Sequence, residues 1–130
     1  MTDRVDKRYQ VFREFLVGFV LDLNHLSEDG WSVLVEGQRD ATALRRLGFS
    51  GRLMEISSTG GRGIAGSDVK KVVILTDLDR EGAVLASRYV KRFSREGFRV
   101  SLKERLRLKK ASHGVFLHVE NLQRFARDEE

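Results

Sequence analysis

The stretch VVILTDLDREGA, residues Val72 to Ala83, decides how the rest of the chain is interpreted. Four apolar residues lead into two carboxylates, Asp77 and Asp79, and Gly82 follows shortly after them. A short apolar run bounded by polar residues is typical of a strand buried in a parallel sheet. Because side chains alternate along extended backbone, Asp77 and Asp79 should lie on the same side of the chain. Their charges repel unless a cation or a proton neutralises them.

The sequence around this stretch predicts strands that alternate with helices. The predicted strands are residues 31–36, 52–56, 71–76 and 98–102. Helices are predicted for residues 40–47, with Asp40 as N-cap, and for residues 81–95. A polar, glycine-rich loop, residues 57–63, precedes the third strand. This order predicts an α/β fold in which a four-stranded, mainly parallel sheet is flanked by helices.

Both ends of the chain add predicted helices. Apolar residues spaced by four and three positions predict a helical seam within residues 1–28: Val5, Tyr9, Phe12, Leu16, Phe19, Leu23 and Leu26. The seam either covers the sheet or pairs with a second copy in a homodimer, and both interpretations stay open. Residues 102–110 favour a helix with Leu102 and Leu106 facing inward, with a strand as the alternative. Residues 120–127 are predicted as a terminal helix.

Composition predicts a single domain without membrane contact. The 130 residues divide into an N-terminal helix (1–28), a core (31–117) and a C-terminal helix or tail (118–130). The sequence contains no Cys, which excludes disulfides and thiolate metal sites within it. The most apolar run, residues 15–23, is too short to span a bilayer, and no secretory signal is visible. We therefore expect a cytoplasmic protein.

The positive charge is concentrated in one segment. The chain has a net charge of +5, whereas residues 87–113 alone carry +8 and the remainder carries −3. Such a segment either attracts the polyphosphate backbone of a nucleic acid or forms a solvated helix face. The candidates for contact with a nucleic acid are Lys103, Arg105, Arg107, Lys109 and Lys110.

Acidic residues follow two of the predicted strands. In an open parallel sheet, ligands bind at the carboxyl ends of the strands. Glu36 ends the first strand there, and Asp77 and Asp79 end the third. If these strands are neighbours, the three carboxylates converge and suit Mg²⁺, with Mn²⁺ as a substitute. The alternative is that Asp77 and Asp79 cap the helix that follows.

These two motifs together resemble the Toprim domain, which type IA and type II topoisomerases, bacterial-type primases, certain nucleases and a ribosomal RNA maturase share. The first motif is VEGQRDATAL, with Glu36 and Gly37, and the second is DxDxxG, with Asp77, Asp79 and Gly82. The resemblance covers about residues 31–117. In length and in its leading helix, the chain looks closest to the small stand-alone Toprim proteins of archaea and some bacteria.

The resemblance implies that Glu36 is the general acid or base and that Asp77 and Asp79 hold Mg²⁺. Topoisomerases carry a further acid where this chain has Ala83, and they need a separate domain with a nucleophilic tyrosine. Primases use a zinc module and a further catalytic subdomain, and this sequence has no Cys for a zinc module. Strand transfer and primer synthesis by this chain alone are therefore not expected. We expect a metal-dependent phosphodiester hydrolase (a nuclease) or processing factor acting on RNA or DNA. The alternatives are a non-catalytic nucleic-acid-binding module of an RNA-processing or ribosome-associated complex, and a protein-interaction role through the N-terminal seam.

Several polar side chains leave two interpretations open. Arg80 is either a phosphate contact or a surface arginine. Ser58, Thr59 and Arg62 in the glycine-rich loop either hold a phosphate or form a plain turn. Three histidines show no ligand spacing and are interpreted as structural or surface residues: His25, His113 and His118. Gly37 and Gly82 lack Cβ, so backbone or a ligand can approach closely at both positions.

Overall fold

The computed structural model describes residues 3–59, 70–116 and 118–126, which form one α/β fold. The elements are α1 (Asp3–Glu28), β1 (Trp31–Val35), α2 (Gln38–Arg46), β2 (Leu53–Glu55), α3 (Ile56–Thr59), β3 (Lys71–Ile74), α4 (Arg80–Arg95), β4 (Arg99–Ser101) and α5 (Lys103–Ser112), followed by a C-terminal 3₁₀ helix (Val119–Phe125). Arg62, residue 117 at the end of the predicted core, and residues 127–130 of the predicted tail lie outside the described residues.

The four strands form one sheet in the order β2-β1-β3-β4, and every pair is parallel. The predicted sheet is therefore confirmed, and β1 and β3 are direct neighbours, with Val33 opposite Val73. Both strands are apolar throughout their centres because helices cover both faces of the sheet. Val33 and Val73 belong to the core on one face, whereas Leu34 and Ile74 belong to the core on the other.

The apolar seam of α1 packs inside the protein. Phe12, Leu16, Phe19 and Leu23 are each at most 6% exposed and contact the face of the sheet that carries Val33. Tyr9 is 42% exposed, and the side chain of Val5 lies outside the described part. The seam thus covers the sheet, so this packing gives no support to a homodimer formed through it. None of the described helices combines the length and apolar character needed to cross a bilayer.

The other face of the sheet is covered by α4. Ala86, Tyr89 and Phe93 are buried against Leu34 and Ile74. The helix begins at Arg80, one residue before the predicted start, and it ends at Arg95 as predicted. Its buried residues lie three or four positions apart, so its opposite face is left to the solvent.

Two predicted helix details are wrong. Gly37, not Asp40, is the N-cap of α2; Asp40 lies in the first turn, and its carboxylate accepts a hydrogen bond from the Gly37 N–H at 3.1 Å. The predicted C-terminal helix begins at Val119, one residue before the predicted start, and it is a 3₁₀ helix that ends at Phe125. Its buried residues are Val119, Leu122 and Phe125, whose spacing of three matches the 3₁₀ repeat.

Residues 103–112 form the predicted helix α5, but the predicted buried face is wrong. Leu102 and Leu106 are 40% and 54% exposed, whereas Glu104, Arg105 and Leu108 are buried. Glu104 accepts a hydrogen bond from the Ser101 hydroxyl at 2.6 Å. The polar groups of α5 face inward because their hydrogen-bond partners lie there, and satisfied polar groups tolerate burial.

Candidate metal centre

The strand order reverses between β1 and β3, which places a crevice at the carboxyl ends of these two strands. Glu36 directly follows β1, and Asp77 lies shortly after β3. The two residues meet, since the Glu36 Oε2 atom accepts a hydrogen bond from the Asp77 N–H at 2.8 Å. The predicted convergence of these two acids is therefore present in the structure.

Both carboxylate oxygens of Asp77 accept hydrogen bonds from the segment that starts the 3₁₀ helix. The Val119 N–H donates to Oδ1 at 2.7 Å, and His118 Nδ1 lies 3.2 Å from Oδ2. His118 Nδ1 also lies 3.9 Å from Asp79 Oδ2. The hydrogen bond to Asp77 is the main cause that raises the pKa of His118. The charge repulsion between the two aspartates is thus offset in part by an imidazole and a backbone amide.

Asp79 has a second contact, at the start of α4. Its Oδ1 atom accepts a hydrogen bond from the Gly82 N–H at 2.7 Å, so Asp79 is the N-cap of this helix. The capping interpretation therefore holds for Asp79 but not for Asp77. Because the other oxygen of Asp79 faces His118, one carboxylate both caps the helix and takes part in the acidic site.

Gly82 explains why the second motif ends in a glycine. A Cβ atom there would lie 2.6 Å from the carbonyl carbon of Asp77 and closer still to its oxygen. The Thr76 hydroxyl donates a hydrogen bond to the Gly82 carbonyl at 2.6 Å, which keeps the first turn of α4 against the end of β3. At Gly37 a Cβ would meet only the Ser57 hydroxyl, at an ordinary 3.5 Å. The close approach expected at both glycines is confirmed at Gly82 alone.

Arg105 lies beneath the two aspartates. Only 9% of the residue is exposed, and its Nη2 atom donates hydrogen bonds to the carbonyls of Asp77 at 2.5 Å and Asp79 at 3.4 Å. Its Nε atom donates to the Thr76 carbonyl at 3.3 Å. Burial lowers the pKa of Arg105, while Asp79, Glu36 and Asp77 act in the opposite direction. This position does not match the predicted contact with a nucleic acid; Arg105 instead supports the loop that carries the carboxylates.

The other predicted phosphate-binding residues are dispersed. Arg107 forms an ion pair with Asp22 of α1 at 3.1 Å. Lys103 and Lys109 are exposed on α5, and Arg80 is exposed next to Asp79. Arg62 and the side chains of Ser58 and Thr59 fall among the residues that the structure does not describe.

Glu36 opens into a cleft of about 450 Å³. The cleft is also lined by three further carboxylates, those of Asp40, Asp77 and Glu120. Burial raises the pKa of Glu36; the hydrogen bond from the Asp77 amide opposes this, and the charges of Asp77, Asp40 and Asp79 add to it. Burial is also the main cause that raises the pKa of Asp40. Arg39 also lines the cleft and lies 3.9 Å from Glu120, so four acidic side chains and one basic side chain surround it.

Three side chains in the described part of the chain could hold a metal ion together: Asp77, Asp79 and His118, whose donor atoms lie within 4.8 Å of one another. Carboxylate oxygens suit Mg²⁺ and Mn²⁺, and an imidazole nitrogen suits transition metals. Glu36, predicted as a third ligand, is not in this group. His118 was predicted as a structural or surface residue, and no local spacing could have identified it, since it lies 41 residues from Asp77.

Several known proteins are similar to this chain in sequence. A UPF0292 protein of Methanocaldococcus jannaschii is 34% identical over 90 residues, which cover 66% of this chain and 65% of that protein. UPF0292 proteins of Pyrococcus abyssi and Methanosarcina acetivorans are 32% and 31% identical, and the alignments cover 77% and 80% of their lengths. No family model matches the chain.

A solved structure of a protein from Aquifex aeolicus has the same fold. It superposes with a TM-score of 0.69 at 25% sequence identity, and the match covers 80% of this chain and 94% of that protein. The names of these relatives and of this structure state no activity. The relatives show the family, and the solved structure shows the α/β architecture.

Proposed function

The chain belongs to the UPF0292 family, and we propose that it is a cytoplasmic, Mg²⁺-dependent phosphodiester hydrolase of the Toprim superfamily that acts on RNA or DNA. One observation carries the proposal: Glu36 lies beside Asp77, with Asp79 close by, at the carboxyl ends of the neighbouring strands β1 and β3. This is the arrangement that the resemblance of the two motifs to Toprim implies.

The residues of the site would have three different roles: holding the metal, transferring a proton and positioning the metal ligands. Asp77 and Asp79 would hold Mg²⁺ or Mn²⁺, which when bound polarises a phosphodiester and stabilises the negative charge that develops on it. Glu36 would transfer a proton to or from the reacting oxygen, since it lines the cleft together with Asp77 and is near enough to Asp79 for that charge to raise its pKa. Arg105 would keep the aspartates in position by holding their backbone carbonyls.

A cleavage assay with matched variants tests the proposal. Fluorescent RNA and DNA, each single-stranded and structured, would be incubated with Mg²⁺, Mn²⁺ or a chelator. We expect cleavage by the unmodified protein and by Asp29→Asn, a control that neutralises an exposed acid outside the site. Glu36→Gln should lower the rate by about 10²- to 10⁴-fold, the range for loss of a general acid or base.

Asp79→Asn should abolish the metal-dependent cleavage while keeping the helix cap, because asparagine caps helices as well as aspartate does. Asp77→Asn provides the second test of the metal ligands. Identical products from the unmodified protein and from all three site variants would refute hydrolysis at this site.

A non-catalytic nucleic-acid-binding module is the second candidate. The observation that favours it is that the carboxylates already have structural partners: Asp77 accepts hydrogen bonds at both oxygens, and Asp79 caps α4. This candidate predicts salt-sensitive binding of RNA or DNA without cleavage under any metal condition. Binding would then persist in Asp79→Asn, because the cap is preserved.

A further inference from the structure

Four basic residues share one face of α4. Arg80, Arg88, Lys91 and Arg95 are all exposed. At 100° per residue they fall within an arc of about 80°. This arc lies opposite the buried residues Ala86, Tyr89 and Phe93. We call these four residues the α4 stripe.

The α4 stripe carries uncompensated charge. Among the described residues, none of its four cations takes part in a hydrogen bond or ion pair, whereas the neighbouring Arg92 pairs with Glu96. The uncharged residues between them are small or aliphatic, Val84 and Ser87, and they line a shallow depression of about 610 Å³ together with the basic side chains. Within its arc the stripe therefore presents four positive charges and no acid, and the exposed Glu81 lies about 20° outside the arc.

The α4 stripe begins at the metal centre. Arg80 is the first residue of α4 and directly follows Asp79, the N-cap. From Arg80 to Arg95 the helix rises about 22 Å at roughly 1.5 Å per residue. One nucleic-acid strand places a phosphate about every 3.4 Å along a duplex axis, so the stripe is as long as roughly six phosphates.

We propose that the α4 stripe is the surface that binds the phosphodiester backbone and leads it to Asp77 and Asp79. This inference rests on the proposed function, because it adds a route for the substrate of that site. It also moves the expected contact from α5 to α4. On α5, Arg105 is buried and Arg107 is paired with Asp22, which leaves three exposed lysines there, Lys103, Lys109 and Lys110.

The chemistry of the α4 stripe favours a nucleic acid over an anionic membrane. A helix that lies on a membrane needs an exposed apolar face to insert between the lipids. The apolar face of α4 is buried against the sheet, where Phe93 is fully enclosed. A polyanion requires only the charges, and their release of counterions drives binding.

The test compares two variants of equal net charge. The stripe variant carries Arg88→Gln, Lys91→Gln and Arg95→Gln, and the control variant carries Lys103→Gln, Lys109→Gln and Lys110→Gln on α5. All six positions are exposed, and the three control residues lie on α5 rather than on α4. Binding of short fluorescein-labelled single-stranded RNA and duplex DNA would be measured by anisotropy from about 50 to 200 mM salt.

K is the association constant for the nucleic acid. We expect the magnitude of the slope of log K against log[salt] to be smaller in the stripe variant, by about 2 for single strands and about 3 for duplex. The control variant should keep the slope of the unmodified protein. A reduced slope in the control but not in the stripe variant would overturn the proposal. So would the absence of nucleic-acid binding by the unmodified protein, or stripe-dependent binding to phosphatidylserine vesicles in its place.

The binding measurement is independent of catalysis. If the salt dependence of binding falls in the stripe variant but the unmodified protein does not cleave, the proposal of a hydrolase is refuted and the proposal that the α4 stripe binds nucleic acid is supported. If the unmodified protein cleaves and both variants bind and cleave as it does, the proposal that the α4 stripe binds nucleic acid is refuted and the proposal of a hydrolase is supported. Equal melting temperatures of the two variants would show that both are folded.

Discussion

Replacing Gly82 with alanine tests the tightest backbone contact of the metal centre. The new Cβ would lie 2.6 Å from the carbonyl carbon of Asp77, and backbone atoms cannot turn aside as a flexible side chain can. Gly82 also donates a hydrogen bond to Asp79 and accepts one from Thr76. Any shift that relieves the clash therefore weakens the helix cap and the contact with β3.

The expected magnitude follows from three opposing effects. Alanine stabilises a helix relative to glycine by about 0.5–1 kcal/mol. Forcing an extra carbon into a packed site costs about 1–3 kcal/mol, and loss of an N-cap hydrogen bond costs about 1 kcal/mol. Together these predict that Gly82→Ala lowers the free energy of unfolding by about 1–3 kcal/mol.

Urea denaturation measures the effect, with Gly18→Ala as the matched control. Gly18 also lies within a helix, but a Cβ there would have no atom within 4 Å. The control should therefore gain about 0.5–1 kcal/mol from helix propensity alone. A Gly82→Ala variant as stable as the unmodified protein, or more stable, would refute the close packing of this glycine on Asp77.

Two other predictions concern residues that support the site. Arg105→Met should lower the free energy of unfolding by about 3 kcal/mol, because the carbonyls at the end of β3 lose a buried charged donor. Arg107→Met, which removes an exposed ion pair, should change it by less than about 1 kcal/mol, and equal denaturation midpoints for the two variants would contradict this. Leu122→Ala should lower the melting temperature by an amount that corresponds to about 2–5 kcal/mol, since Leu122 is 1% exposed; an unchanged melting temperature would show that the 3₁₀ helix does not pack on the core.

The sheet and the meeting of the acids could be predicted because short-range patterns determine them. The apolar runs that end at Val35 and Leu75 are buried on both faces, as a central parallel strand requires. Polar residues that directly follow such strands lie at the carboxyl edge of the sheet. The convergence of Glu36 and Asp77 needed only the further condition that β1 and β3 are neighbours.

The residues that surround these acids could not be predicted in the same way. The side of α5 that faces inward depends on the carbonyls of Thr76 and Asp77, which accept hydrogen bonds from Arg105. The spacing of apolar residues cannot indicate this side, because it takes no account of polar contacts. His118 reaches Asp77 because the 3₁₀ helix packs against α2 and the core, and that long-range contact leaves no mark in local sequence. Three residues of the α4 stripe, Arg88, Lys91 and Arg95, belong to the larger basic segment of residues 87–113, and only the burial of the opposite face of α4 separates them from the other cations there.

Metal titration by calorimetry tests the central claim, that the aspartates after β3 form a divalent metal site. The unmodified protein, Asp79→Asn and the control Asp29→Asn would each be titrated with Mg²⁺ and with Mn²⁺. We expect saturable binding by the unmodified protein and the control, and at least tenfold weaker binding by Asp79→Asn at an unchanged melting temperature. Binding of equal strength in all three proteins, or no binding in any of them, would contradict it.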